Sequence, residues 1–284
     1  MTIRNNQDRF DVPQSDSEVP PEVIQNQTEN TFNFVVPTEF VDLPSKGKFY
    51  MEGHPLHNKE SIEIRHMTAK EEDILTSQSL LKKGVALDRL LESIVLDKSI
   101  NLRDLLVGDR NALIVGARIT GFGPIYETRV SCPMCSSISE TTFNLEELEV
   151  RKTELHETVV ETGNGTYSID LPKSKVNVEV RLLTGVQERK LLQSFEKKKK
   201  MKLPESSATE QLKTVIVSVN NDESGAAVSK FVDVMPLADS LHLKKVYEKL
   251  NPDVNLGHPF ECDACLYEGE VSVPLTADFF WPNR

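Results

Sequence analysis

Apolar and polar residues alternate strictly over Ser61-Ile62-Glu63-Ile64-Arg65, which predicts a strand buried on one face. Upstream, Phe34-Val35-Val36 opens the first apolar segment, and the Pro and Gly of Leu43-Pro44-Ser45-Lys46-Gly47-Lys48 demand a turn between short strands. Downstream, Thr68 with Glu71 three residues later forms a capping box, so a helix starts there and runs to Gly84. A second helix covers Leu87 to about Leu96. A third starts near Asp109, turns Leu113, Ile114 and Ala117 inward, and stops by Gly121 and Gly123. Ile125 to Val130 and Thr141 to Leu145 read as strands on either side of Cys132-Pro133-Met134-Cys135.

The second half repeats this order. Val178-Glu179-Val180-Arg181 answers Ile62-Glu63-Ile64-Arg65, and Thr184 with Gln187 answers Thr68 with Glu71, both 116 positions later. Leu171-Pro172-Lys173-Ser174-Lys175 echoes the first turn. From Asp109 onward the offset is 130, joining Asp109 to Asp239, Cys132 to Cys262, Cys135 to Cys265 and Leu145 to Leu275. The change falls in connections around Ser206 and Asn220 to Gly225, where insertions are tolerated. This is the pattern of an internal duplication. It predicts an α+β fold of two related lobes of short strands and helices, residues 34–150 and 151–284, behind a flexible polar arm at 1–33 rich in Asn, Gln, Ser, Pro and acidic residues.

Composition narrows the class. The 284 residues are 38% apolar and 27% charged, enough for a folded core. Apolar runs reach only a few residues, far short of the roughly 18 needed to span a bilayer, and the first 30 positions hold no signal-peptide core. A net charge of -11, from 33 basic and 44 acidic residues, favours protein partners over nucleic acid.

All four cysteines fall in two Cys-x-x-Cys pairs, Cys132/Cys135 and Cys262/Cys265, each between predicted strands. Two thiolates at this spacing face one ion while the tight turn aims backbone N–H groups at the sulfurs, and two such knuckles complete a tetrahedral four-sulfur zinc site. The 126 residues between the pairs raise the loop-closure cost by about 2 kcal/mol over an ordinary ribbon of about 17. Structural zinc supplies roughly 10 to 16 kcal/mol, so one shared structural zinc is expected to join the lobes. Three alternatives stand beside it: a dithiol redox centre, knuckles pairing between molecules, and His258 replacing one sulfur. With four thiolates no coordination position is free for catalysis.

No other residue set carries chemistry. Lys197 to Lys200 with Lys202 suits the C-terminus of the helix from Thr184. Asp109 and Asp239 read as helix caps, and Glu63, Arg65, Glu179 and Arg181 as an exposed charge ladder. The six histidines make no pair at ligand spacing. Phe279-Phe280-Trp281 either covers the knuckle hairpins or anchors a partner. No phosphate loop, nucleophile elbow or catalytic carboxylate pair is found.

The runs Leu43-Pro44-Ser45-Lys46-Gly47-Lys48-Phe49-Tyr50, Ile64-Arg65-His66-Met67-Thr68-Ala69-Lys70-Glu71-Glu72-Asp73 and Leu106-Val107-Gly108-Asp109-Arg110, with Arg118, Gly121-Phe122-Gly123 and Cys132-Pro133-Met134-Cys135, resemble the baseplate-hub protein family of T-even-type contractile-tailed bacteriophages. The likeness covers about residues 36 to 150, and the second half joins it only through the repeat. The resemblance implies a non-enzymatic structural protein of the virion tail, made in the host cytoplasm, with other tail or baseplate hub proteins as partners. The runner-up is a non-virion assembly chaperone that holds the tape-measure protein before tail polymerisation. A zinc-ribbon nucleic-acid module is the third reading, and the negative charge argues against it.

Overall fold

The computed structural model describes residues 35–151, 153, 158–163, 165–201, 207–275 and 277–280. The arm at 1–33 and Trp281 therefore lie outside the described residues. The first half runs β1 (Thr38–Asp42), β2 (Ser61–Arg65), α1 (Ala69–Thr76), α2 (Gln78–Lys82), α3 (Ala86–Ile94), α4 (Val107–Phe122), β3 (Ile125–Ser131) and β4 (Ile138–Asn144), closed by a 3-10 turn at Leu145–Glu147. The second runs β5 (Val150–Arg151), β6 (Val159–Glu161), β7 (Thr166–Asp170), β8 (Asn177–Arg181), α5 (Gly185–Lys200), α6 (Ser207–Val215), β9 (Ile216–Val219), α7 (Gly225–Val234), α8 (Leu237–Leu250), β10 (Asp253–Val254), β11 (Gly257–Glu261) and β12 (Glu268–Ser272), with a last 3-10 turn at Ala277–Phe280. The fold is α+β. Among the described residues its sheets are small and antiparallel: four two-stranded ladders, β1-β2, β3-β4, β5-β10 and β11-β12, and one four-stranded sheet in the order β6-β7-β8-β9.

The alternating strands behave as their pattern demands. Ile62 and Ile64 of β2 and Val178 and Val180 of β8 are buried, while their neighbours stay partly or wholly exposed. The capping box at Thr68 closes, its N–H donating to Glu71 Oε2 at 2.8 Å, and at the start of α5 the Thr184 N–H donates to Gln187 Oε1 at 3.0 Å. The helix expected from Thr68 to Gly84, however, breaks at Ser77. Its backbone turns extended (φ -65°, ψ 106°) and its carbonyl accepts from Leu80 and Leu81 to start α2. The polar run Thr76-Ser77-Gln78-Ser79 explains this, because short hydroxyl side chains compete for backbone bonds and favour helix ends.

Helix α4 lies at the centre. It buries Ala112, Leu113, Ile114, Val115 and Ala117 around most of its girth, so it faces core on several sides rather than along one stripe. Gly108 admits the second half's backbone, since a Cβ there would stand 2.0 Å from the Pro252 carbonyl oxygen. Gly123, at φ +81°, ends the helix in a conformation that L side chains rarely adopt. Backbone bonds stitch the halves beside it, Val107 N–H to Leu183 O at 3.1 Å and Gly185 N–H to Leu105 O at 3.0 Å. Asp88 of α3 accepts from Arg110 of α4 and Arg189 of α5. One continuous apolar core runs from Leu43 through Leu113 and Val180 to Phe280, and Val36–Arg284 is one compact unit.

Two expectations need correcting. Asp109 and Asp239 do not cap their own helices; each is the third residue of its helix, fully buried, and caps a turn from elsewhere. Asp109 accepts from Ser45 N–H (3.0 Å), Ser45 Oγ (2.6 Å) and Tyr50 Oη (2.6 Å), and Asp239 from Lys173 N–H (2.7 Å) and Ser174 N–H (2.8 Å). Each thus locks a Leu-Pro turn onto the N-terminus of a helix, where the dipole favours a carboxylate. Nor do the strand charges all form a solvated ladder. Arg65 turns onto buried Glu71, with N···O distances of 2.6 and 3.0 Å, and Glu179 accepts from Thr166 and Ser218.

Candidate metal centre

The two hairpins that carry the cysteines are built alike. In the first, Tyr126 faces Phe143 and Ser131 faces Ile138; in the second, Gly257 faces Ser272 and Glu261 faces Glu268, so the register is the same at an offset of 130. The knuckles match bond for bond. Cys132 N–H donates to Ser137 O and Ser136 N–H to Cys132 O, as Cys262 N–H donates to Tyr267 O and Leu266 N–H to Cys262 O, all between 2.8 and 3.0 Å. Each turn is closed by one residue at positive φ, Ser136 at 59° and Leu266 at 55°. Neither position is glycine, so each turn carries a modest backbone strain that the ladder on both sides enforces.

This geometry brings all four sulfurs together. The Sγ atoms of Cys132, Cys135, Cys262 and Cys265 lie within 4.8 Å of one another. The closest approaches cross between hairpins, Cys132 to Cys265 and Cys135 to Cys262, at 3.7 Å each. An ion holding four sulfurs tetrahedrally at about 2.3 Å would set them about 3.8 Å apart, so the spacing is compatible with a metal. It is too long for a disulfide bond, whose sulfurs are about 2.05 Å apart, and all four cysteines are free. The first cysteine of each pair is buried and the second faces solvent.

Electrostatics around the cluster favour the thiolates of Cys135 and Cys262 and oppose that of Cys265. The Ser137 hydroxyl, between Cys135 Sγ (3.0 Å) and Cys262 Sγ (3.2 Å), pulls the Cys262 thiol down to about 6 and lowers Cys135 as well. Backbone N–H groups of Cys265 and Ala264 reinforce Cys262, and Met134 N–H points at Cys132 Sγ at 3.4 Å. Cys265 moves the other way, up to about 12, because the Cys135 sulfur beside it disfavours a second negative charge. Four sulfurs this close cannot all ionise unless a cation sits among them. The donor set and the N–H groups aimed at it fit a closed, sulfur-coordinated ion.

Among the alternatives, no cysteine lies on a helix, as a dithiol redox centre at a helix N-terminus would require. The two knuckles meet within one chain. The His258 ring packs edge-on to Phe143, with centroids 5.0 Å apart. The aromatic C-terminus turns inward, with Phe279 edge-on to Tyr126 at 4.8 Å and Phe280 against Phe122 at 6.3 Å, both fully buried. Arg118, which the motif reading left without a role, secures them: its guanidinium donates to the carbonyls of Phe279 (3.0 Å), Gly123 (3.0 Å) and Ile125 (3.1 Å). A basic residue within an apolar helix stretch was the available signal.

Among the described residues no helix is long and apolar enough to cross a membrane, and the four cysteines form the metal-compatible cluster. No match is found among curated proteins or among solved structures. A family model described as T4 bacteriophage base plate protein matches residues 36–281, reaching beyond the first half to span both knuckles and the helices between them. The chain therefore belongs to the T4 bacteriophage base plate protein family.

Proposed function

We propose that the protein is a structural component of the baseplate hub, working through protein contacts alone, with its two halves clamped by a structural zinc on Cys132, Cys135, Cys262 and Cys265. Family membership supports a structural role in the virion tail with other tail proteins as partners. The observation that carries the clamp is the meeting of two pairs, separated by 126 residues, in one cluster with sulfurs 3.7 Å apart across the hairpins. A tetrahedral four-sulfur set suits zinc or iron; zinc, without redox chemistry, suits a staple. When bound it would neutralise the thiolates and rivet hairpin β3-β4 to hairpin β11-β12.

The same observations support an origin by duplication, with residues 34–150 and 151–284 as related lobes of one unit. The matching hairpin registers, the matching knuckle bonds and the paired aspartates Asp109 and Asp239 argue for it. Strands β7 and β8 pair as β1 and β2 do, and β9 meets β8 at Val180 as Val95 bridges Ile64 of β2, which leaves β6 and α7 as the elaboration of the second copy. Elemental analysis of the full chain is expected to give one equivalent of zinc, lost in Cys262→Ser together with the folded state. Iron, no metal, or metal retained by that variant would refute the clamp. Mass spectrometry of purified particles tests the hub: absence of the chain there would move it to the assembly factors that handle the tape-measure protein.

A further inference from the structure

Away from the cysteines, the two knuckle hairpins carry different charges on their outer faces. On the outer face of the first, Arg129 sits across from Glu140 and pairs with it at 3.2 Å. At the matching sites of the second, Pro259 faces Glu270 and Glu261 faces Glu268. Like charges directly across a ladder are destabilising, yet Glu261, Glu268 and Glu270 line one exposed face, with exposed Asp263 at the tip. The opposite face, Phe260 and Val271, is buried in the core. The hairpin is an acidic prong.

A basic groove of about 460 Å³ lies between α5 and α6. Arg181, Gln187, Lys190, Ser194, Lys213 and Thr214 line it; Lys213 pairs with Asp233 at 2.7 Å and Glu210 with Lys198, which leaves Arg181 and Lys190 as the cations the groove offers a partner. At 3.6 residues per turn, Lys190, Gln193, Lys197 and Lys200 fall along one face of α5, and all four are exposed. In a chain of net charge -11, such a face attracts acidic partners. The like-charged prong needs cations.

We infer that the acidic prong of one copy docks in the basic groove and along the lysine face of α5 of a second copy. The contact joins two different surfaces, so it is head-to-tail and repeats into a ring or an open filament. The occupant follows from charge: the groove offers cations along a helix face, and the prong offers carboxylates at the spacing of a two-stranded ladder.

Light scattering on the full chain over a concentration series tests this. Wild type should exceed the monomer mass at about 0.1 M salt and fall to monomer at about 1 M, where charges are screened beyond about 3 Å. Two variants, E261K/E268K/E270K and K190E/K197E/K200E, should each be monomeric at the lower salt. Mixed in equal amounts they should reassociate, since each then meets a surface of opposite sign. A monomeric wild type, self-association persisting in either variant, or failure of the mixture to assemble would overturn the inference. A prong that serves another tail protein would read out as the monomeric wild type. Metal content and circular dichroism of each sample keep the outcome separate from the clamp: a monomer with full metal refutes only the docking.

Discussion

Replacing Glu71 with Gln should cost about 3 kcal/mol at neutral pH and almost nothing near pH 2. The carboxylate is fully buried and takes bonds from both Arg65 Nη atoms, from Ser93 Oγ at 2.6 Å, and from the N–H and Oγ1 of Thr68. Burial alone would push its pKa up; the donors, Arg65 first, overcome this and hold it at about 2. Against a free glutamate at about 4.3, a shift of some two units corresponds to roughly 3 kcal/mol. That is also the lower end of the cost of breaking a buried ion pair, about 3 to 5 kcal/mol. Because the folded pKa lies below the unfolded one, the stabilisation is complete above about pH 4.3 and is lost as pH falls towards 2. Gln copies the shape of the protonated acid, so wild type and variant should converge over that window. Urea unfolding of the full chain at about pH 7 and about pH 3 measures the gap. A gap below about 1 kcal/mol at neutral pH, or one unchanged on acidification, would refute the reasoning. The second half supplies its own control: Gln187 holds the equivalent bond to Thr184 without a charge.

Two further outcomes follow from packing. Gly108→Ala gains about 1 kcal/mol of helix propensity but drives a methyl to within 2.0 Å of the Pro252 carbonyl oxygen, a backbone atom with nowhere to go. Overpacking of about 1 to 3 kcal/mol should win, and a raised melting temperature would contradict the close approach of the halves. Phe279→Ala removes a fully buried ring from between Tyr126 and Phe280 and should lower stability by about 3 to 5 kcal/mol in chemical unfolding; a loss under about 1 kcal/mol would mean that the C-terminal turn is not part of the core.

Much of the site was legible because its constraints are local. A Cys-x-x-Cys turn between alternating strands dictates its own hairpin, and both hairpins form with the expected cysteines at their tips. Strands β2 and β8 and the cap bonds of Thr68 with Glu71 and Thr184 with Gln187 were readable for the same reason, since period and cap act within five residues. What escaped were long-range demands on single residues. Asp109 looks like a helix cap from its position, but its partners Ser45 and Tyr50 lie about 60 positions away. Arg65 reads as a surface charge until Glu71 is seen to be buried beside it. Strand β7, Thr166-Tyr167-Ser168-Ile169-Asp170, carries a clean alternation with Tyr167 and Ile169 buried; it precedes Leu171-Pro172 and pairs with β8 as β1 precedes Leu43-Pro44 and pairs with β2, a match that β1, exposed at four of its five positions, does not announce in its own pattern.

The crossing of the sulfurs between hairpins also sets an order of events during synthesis. Neither hairpin holds more than two donors, so a nascent chain that has just exposed Cys132 and Cys135 must wait for Cys262, 127 positions downstream. At about 5 to 20 residues per second that delay is roughly 6 to 25 seconds on the ribosome. Throughout it the leading thiols are open to oxidation or to a stray ion, which makes completion of the cluster a natural checkpoint for a full-length, correctly paired chain.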